Sequence, residues 1–180
     1  VFYPAMRDNP QVLMQEGWHY AIEKPEDELS YSGVVYNAMK GALSAPDDLL
    51  ESRIMSSLYP DTTYGFESGG DPEAIPDLTQ EKFLAFHERY YHPSNSYIYL
   101  YGNMDMEERL NWMDEKYLSK YDEISVDSAI AKQSPFDKVK EITMEYPVSE
   151  SEPEEENSYL SYNIVTGDSM DVEQCTAFEI

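Results

Sequence analysis

Histidine and cysteine, the side chains most used to hold zinc or attack a bond, are few in this sequence. The histidines are His19, His87 and His92, and Cys175 is the single cysteine. His87 and His92 are five residues apart, which on a helix turns them onto different faces. A shared metal uses a four-residue spacing instead. His87 also falls on an apolar stripe, where a hydrogen-bonded core histidine is expected. His19 stands on a short predicted strand with no partner in sight. All three read as structural, so no catalytic and no metal-ligating residue is assigned. Cys175 lies in a candidate helix near Phe178, a packing position, and one cysteine allows no internal disulfide. Gly69-Gly70 could aim backbone amides at a ligand, but no phosphate fingerprint surrounds the pair and it reads as turn geometry.

The elements that would position any chemistry centre on Gly33 to Leu58, which predicts two consecutive helices. In the first, Val34, Val35, Ala38, Met39 and Ala42 fall at helical spacing and make one apolar stripe. In the second, Pro46 suits a first helical position, and Asp47 and Asp48 place negative charge where the helix dipole favours it. Leu50, Ile54 and Leu58 then repeat on one face. Asn9-Pro10 opens a short helix that runs to Gln15 and is ended by Gly17, and Trp18 to Glu23 reads as a strand. Pro60 to Pro76 is a long loop rich in Gly, Pro, Asp and Thr.

Further along, Thr79 is expected to cap a helix reaching Tyr91, with Phe83, Phe86, His87 and Tyr90 on its apolar face. Ser96 to Tyr101 alternates Ile98 and Leu100 against Tyr97, Tyr99 and Tyr101, the pattern of a half-buried strand. Asp105 with Glu108 resembles a capping box opening a helix whose Met106, Leu110, Met113 and Tyr117 form a stripe for burial. Residues 121–140 lack sustained periodicity and read as a linker. Ile142, Met144 and Tyr146 alternate as a strand, Ser149 to Glu156 reads as a solvated acidic loop, and Tyr159 to Val165 reads as another strand. Asp168 or Ser169 is expected to cap a last helix.

The 36 acidic residues against 12 basic give a net charge of −24. That excludes nucleic acid as a partner, because phosphate binding needs a basic patch. No run of eighteen apolar residues exists, so no membrane span is expected. No signal peptide is visible at the start, both ends look cut from something longer, and the single cysteine fits a reducing, cytoplasmic setting. The acidic balance reads first as a solvated surface and second as a wall attracting basic peptides.

Three stretches carry a resemblance: GVVYNAMKGALSAPDD, PDTTYGFESGGDPEAIPDLT and FHERYYHPSNSYIYLYGNMD. With VFYP and QEGWHY upstream, they resemble the insulinase or pitrilysin type of zinc metallopeptidase, and within it the presequence-protease subfamily. The resemblance covers Val1 to about Leu118. It implies that the first helix of the pair carries a glutamate, in a pattern like Asn-Glu-Met-Lys-Gly, as third zinc ligand. Here the segment is Asn37-Ala38-Met39-Lys40-Gly41, so Ala38 occupies that ligand position. The other two ligands come, in that family, from an H-x-x-E-H helix whose glutamate is the general base. No such motif occurs here, and the resemblance places it upstream of Val1.

Ala38 shares its stripe with Val35 and Ala42, so substantial burial is expected. A lone carboxylate there would be costly without a metal, whereas alanine is a good helix former. Asp48, Glu51 and the Glu26-Asp27-Glu28 run occupy no matching position. The expected fold is α+β: an antiparallel sheet with helices packed on one face, plus the first strands of a second similar domain. Residues 1–120 would be the C-terminal part of a first peptidase-like domain, 121–140 a linker, and 141–180 the start of a second. By resemblance the parent is a zinc-dependent peptidase degrading oligopeptides, with peptides and the rest of the parent chain as partners. This fragment is expected to hold no zinc and to be inactive by itself. The alternative is a non-catalytic partner or scaffold subunit of the same fold.

Overall fold

The structure is a computed structural model and describes residues 1–148, 151, 153, 155 and 157–179. Among them it is a small α+β fragment, with six α-helices and one two-stranded antiparallel sheet. The chain divides into two units, one of residues 1–38 and 72–130 and the other of residues 39–71 and 131–180.

The first unit begins with α1 (Pro10–Glu16). The Asn9 side chain accepts from the Gln11 amide at the cap, and Pro10 sits in the first turn, where its missing N–H costs nothing. The helix ends where the Gly17 and Trp18 amides both donate to the Leu13 carbonyl. Strands β1 (His19–Ala21) and β2 (Ser30–Ser32) then pair with Tyr20 opposite Tyr31. β1 is shorter than the predicted Trp18–Glu23 strand, because only three residues find a ladder partner.

Around this hairpin lies the best packed part of the unit. The Trp18 ring meets Tyr20 and Tyr31 edge-on at 5.5 and 5.6 Å, and Tyr31 meets Tyr36 at 5.8 Å. Trp18 Nε1–H donates to the Leu78 carbonyl at 2.9 Å, so the indole keeps its polar contact while its face is covered. The Tyr31 phenol titrates above its usual range, chiefly because the Tyr20 phenol stands beside it.

Helix α2 (Val34–Ala42) leaves this cluster directly. Gly33 has φ +154° and lies against the Gly17 carbonyl, and the Tyr36 amide donates to that same carbonyl at 3.2 Å. Tyr36 is the one buried apolar residue among those described. The expected stripe of α2 is corrected accordingly: Val34, Val35, Ala38 and Ala42 are exposed, because the helix turns Tyr36 to the hairpin.

Helix α3 (Pro46–Leu58) belongs to the second unit. It starts at Pro46, carries Asp47 and Asp48 in its first turn, and half-buries Leu50, Ile54 and Leu58 as the spacing predicts. The loop after it contains a short 3₁₀ turn capped by the Thr62 hydroxyl, a buried polar residue. The Asp61 amide donates to Gln133 Oε1 at 3.0 Å and Gln133 Nε2 donates back to Asp61, tying this loop to residue 133.

Helix α4 (Gln80–Tyr90) is capped by Thr79, whose hydroxyl accepts from the Lys82 amide. Arg7 pairs with Glu88 on its surface, which holds the guanidinium pKa above its usual value. Helix α5 (Met106–Lys116) is capped by Asp105, which accepts from the Glu108 amide at 2.9 Å. The burial expected of both helices is corrected: Phe83, Phe86, Met106, Leu110 and Tyr117 are all exposed. In the second unit, α6 (Val172–Glu179) is capped by Asp171, which accepts from the Gln174 amide, rather than by Asp168 or Ser169.

Three predicted strands do not form. Residues 96–101, 142–146 and 159–165 are not part of any sheet, and Tyr97, Tyr99 and Tyr101 stand at 104, 84 and 85% exposure. An alternating segment becomes a strand only when a neighbour supplies ladder bonds. The described residues supply such a neighbour only to the β1–β2 pair. Most of the acidic loop Ser149–Glu156 lies outside the described residues.

The Gly17–Gly33 approach yields a direct test. A methyl group on Gly33 would collide with backbone atoms of Gly17 and Trp18 while forcing an L-residue to a positive φ. Gly33→Ala is expected to destabilise the chain by about 1–3 kcal/mol, the range for forced overpacking. Urea unfolding followed by tryptophan fluorescence reads this, and an unchanged midpoint would contradict the packing described.

Candidate functional site

The segment singled out by sequence, Asn37 to Gly41, occupies the middle and last turn of α2. Its orientation is set at the helix start, where Gly33 packs on Gly17, and by Asn37 Nδ2, which donates to Ser32 Oγ at 3.3 Å. Ala38 is exposed on this helix. The burial expected from the stripe is absent here, and a carboxylate at an exposed helical position keeps its water and carries little desolvation cost.

Each histidine has a local partner. His19 Nδ1 lies 2.6 Å from the Met14 carbonyl, correcting the expectation that it has none nearby. His87 Nε2 lies 2.9 Å from the Val1 carbonyl, and its ring stacks on Tyr91 at 4.6 Å. It is hydrogen-bonded as expected but only half-buried, not a core residue. His92 Nδ1 accepts from the Ser94 amide at 3.1 Å and so caps a 3₁₀ turn, while Tyr121 meets the ring edge-on at 5.3 Å. These contacts tie the rings to neighbouring backbone. Cys175 is half-buried, with Sγ 3.7 Å from the Ser169 carbonyl and 3.9 Å from that of Asp168.

A catalytic zinc needs three protein ligands and an open position. Among the described residues no group of three His, Cys, Asp or Glu side chains could hold a metal. At Ala38 the helix offers a methyl group. The described residues therefore do not fit a zinc site. Among the described residues, too, no helix is long and apolar enough to cross a membrane.

Sequence reasoning missed the aromatic cluster of Trp18, Tyr20, Tyr31 and Tyr36, which fixes the start of α2. Its signal was available: Tyr20 and Tyr31 flank a polar turn, in a chain with sixteen tyrosines. It also missed an ion pair in the second unit, Lys132 Nζ to Asp168 Oδ2 at 2.7 Å. That pair lies between residues with no pattern in common.

A family model described as "Peptidase M16 inactive domain" matches residues 77–179. Protein HypA of Clostridium perfringens is 50% identical over 180 residues, which is 100% of this chain and 18% of its own. Presequence protease 1, chloroplastic/mitochondrial, of Arabidopsis thaliana is 47% identical over 122 residues, 68% of this chain and 11% of its own. The mitochondrial presequence protease of Danio rerio is 39% identical over 141 residues, 77% of this chain and 14% of its own. The chain thus spans less than a fifth of the length of each of these relatives.

The charge pair of the second unit gives a pH test. Lys132, helped by the Met170 amide, holds the Asp168 carboxyl below the usual carboxylate range, and Asp168 raises the Lys132 ammonium. A lowered carboxylate contributes stability above its unfolded pKa and loses it as pH falls through the folded value. A raised ammonium contributes below its unfolded pKa and loses it as pH rises through the folded one. The pair therefore acts across neutral pH, and weakly, since Lys132 is well exposed. Carboxyl-detected NMR is expected to place the Asp168 midpoint low and to move it upward in Lys132→Met; an unmoved midpoint would show that the pair does not persist in solution.

Proposed function

The chain belongs to the insulinase, or M16, peptidase family and is presequence-protease-like, and from that premise we propose that it is part of an oligopeptide-degrading peptidase and supplies scaffold rather than metal chemistry. By itself the chain holds no zinc and cleaves no peptide. The observation carrying this reading is Ala38. It stands within Asn37-Ala38-Met39-Lys40-Gly41 where the family's pattern has its third ligand, and among the described residues no group of three His, Cys, Asp or Glu could hold a metal. Zinc is expected for the family, so the remaining ligands and the general base of an active parent would come from an H-x-x-E-H helix that this sequence does not contain.

The same observation favours a second reading: a non-catalytic partner or scaffold subunit that keeps the peptidase fold without its metal. The matched family description speaks of an inactive domain over residues 77–179, a stretch that does not include Ala38. The domain arrangement proposed is a first peptidase-like domain ending near residue 120, a linker over 121–140, and a second such domain starting at 141. Peptides and the rest of a longer parent chain are the partners this implies. The single cysteine favours a reducing, cytoplasmic location, whereas the relatives named above from Arabidopsis thaliana and Danio rerio are named for organelles.

Metal analysis tests the proposal. The purified chain is expected to carry no stoichiometric zinc and no chelator-sensitive cleavage of a quenched fluorescent peptide. In the longer parent protein, Ala38→Glu is expected to raise zinc content towards one per chain if only this ligand is missing. Zinc held by the unaltered chain, and lost on chelation, would overturn the scaffold reading.

A further inference from the structure

Tyrosine is the commonest aromatic residue of this chain, with 16 copies. Among the described residues the tyrosine pairs in ring contact are Tyr20–Tyr31, Tyr31–Tyr36, Tyr59–Tyr64 and Tyr146–Tyr159. The first of them stands apart. Its ring centroids are 5.4 Å apart and its planes are inclined by only 33°. The other three pairs lie at 5.8, 6.0 and 5.6 Å, with planes inclined by 64, 57 and 70°.

The backbone holds Tyr20 and Tyr31 together. They face each other across the β1–β2 ladder, where directly opposite residues keep their Cβ atoms about 5 Å apart. Tyr146 and Tyr159 stand on segments without a ladder partner, and Tyr59 and Tyr64 lie in the loop after α3. Tyr36 is buried.

The hairpin pair is also open to chemistry. Tyr20 is 61% exposed and Tyr31 42%, so both rings reach water and a dissolved oxidant. The two phenols are close enough that Tyr20 makes the Tyr31 phenol hold its proton more firmly than usual. Trp18 meets both rings edge-on at 5.5 and 5.6 Å, so an electron lost from the indole is replaced from either phenol.

We propose that Tyr20 and Tyr31 are a site of oxidative cross-linking, joined by one-electron oxidants of the peroxidase class into a dityrosine that staples β1 to β2. Each phenol gives one electron to the oxidant and its proton to water. The radicals carry spin on the ring carbon beside the oxygen, and these two carbons join in a new C–C bond. The hydrogen on each joined carbon then moves to its oxygen, which restores both phenols. In all, two electrons and two protons leave the chain, and one hydrogen peroxide is reduced to two waters. The link closes the hairpin covalently beside the Gly17–Gly33 approach. It restricts the unfolded chain as a disulfide would, in a chain whose single cysteine can form none internally. Neither zinc nor peptide cleavage enters, so the inference is independent of the peptidase reading.

The test treats the dilute whole chain with hydrogen peroxide and a haem peroxidase. The expected product is a monomer lighter by two hydrogen atoms that shows the blue emission of dityrosine. A glutamate-specific protease cuts at Glu23, Glu26 and Glu28, between the two tyrosines, and is expected to release the Tyr20 and Tyr31 peptides joined. Tyr31→Phe keeps a ring in place and is expected to lose dityrosine from the monomer. Tyr97→Phe, outside the hairpin, is expected to leave it unchanged, and circular dichroism checks that both variants stay folded. The same treatment in urea is expected to lose the link, since only the paired hairpin aligns the rings. The linked chain is expected to unfold at higher urea concentration than the untreated one. A link mapped to other tyrosines or formed only between chains would overturn the proposal, as would absence of dityrosine. So would a monomer yield indifferent to Tyr31→Phe or to urea, or an unfolding midpoint that the link leaves unmoved.

Discussion

The first unit depends on one backbone crossing. Gly17 ends α1 and Gly33 precedes α2, and the two touch where a side chain on Gly33 would run into the Gly17 carbonyl. At that crossing the Gly17 carbonyl also accepts the Tyr36 amide, so a single group joins the close of one helix to the first turn of another. The hairpin between them is consequently short and tightly held, and Trp18, Tyr20, Tyr31 and Tyr36 close over it. A contact of this kind cannot be strengthened by adding apolar surface, because added atoms would drive the two backbones apart. Steric exclusion, rather than hydrophobic gain, determines where α2 begins and how its Asn37–Gly41 segment is presented.

Away from that crossing, burial is scarce. Apolar stripes on α4 and α5 and the tyrosine ladder at 97–101 face water. Conformational entropy opposes the ordering of every residue, and apolar burial is the main force against it. Local capping and turn bonds therefore carry a larger share of the order here than in a closed core. This fits a chain that spans under a fifth of its relatives' length.

That balance explains what could be read from the sequence. Helix starts are encoded within four residues, and Asn9, Thr79 and Asp105 all cap where the local pattern places them. Pro46 and the two aspartates after it likewise announce α3. Strands and burial are decided by residues distant in sequence. Tyr97-Ile98-Tyr99-Leu100-Tyr101 has the alternation of a half-buried strand, but alternation says only which face would be covered, not that a cover is present. The α2 stripe misled for the same reason: Val35 and Ala38 share a face, yet the hairpin contacts the side that carries Tyr36. The exposure of Ala38 was not legible, since exposure depends on what surrounds the helix.

The exposure of Ala38 changes the physical meaning of that residue. Were the position buried among apolar neighbours, alanine would be required for packing, and any carboxylate would need a metal to neutralise it. On an exposed face of α2, glutamate and alanine differ by only a few tenths of a kcal/mol in helix propensity. Folding of this chain is then indifferent to which of the two stands at position 38.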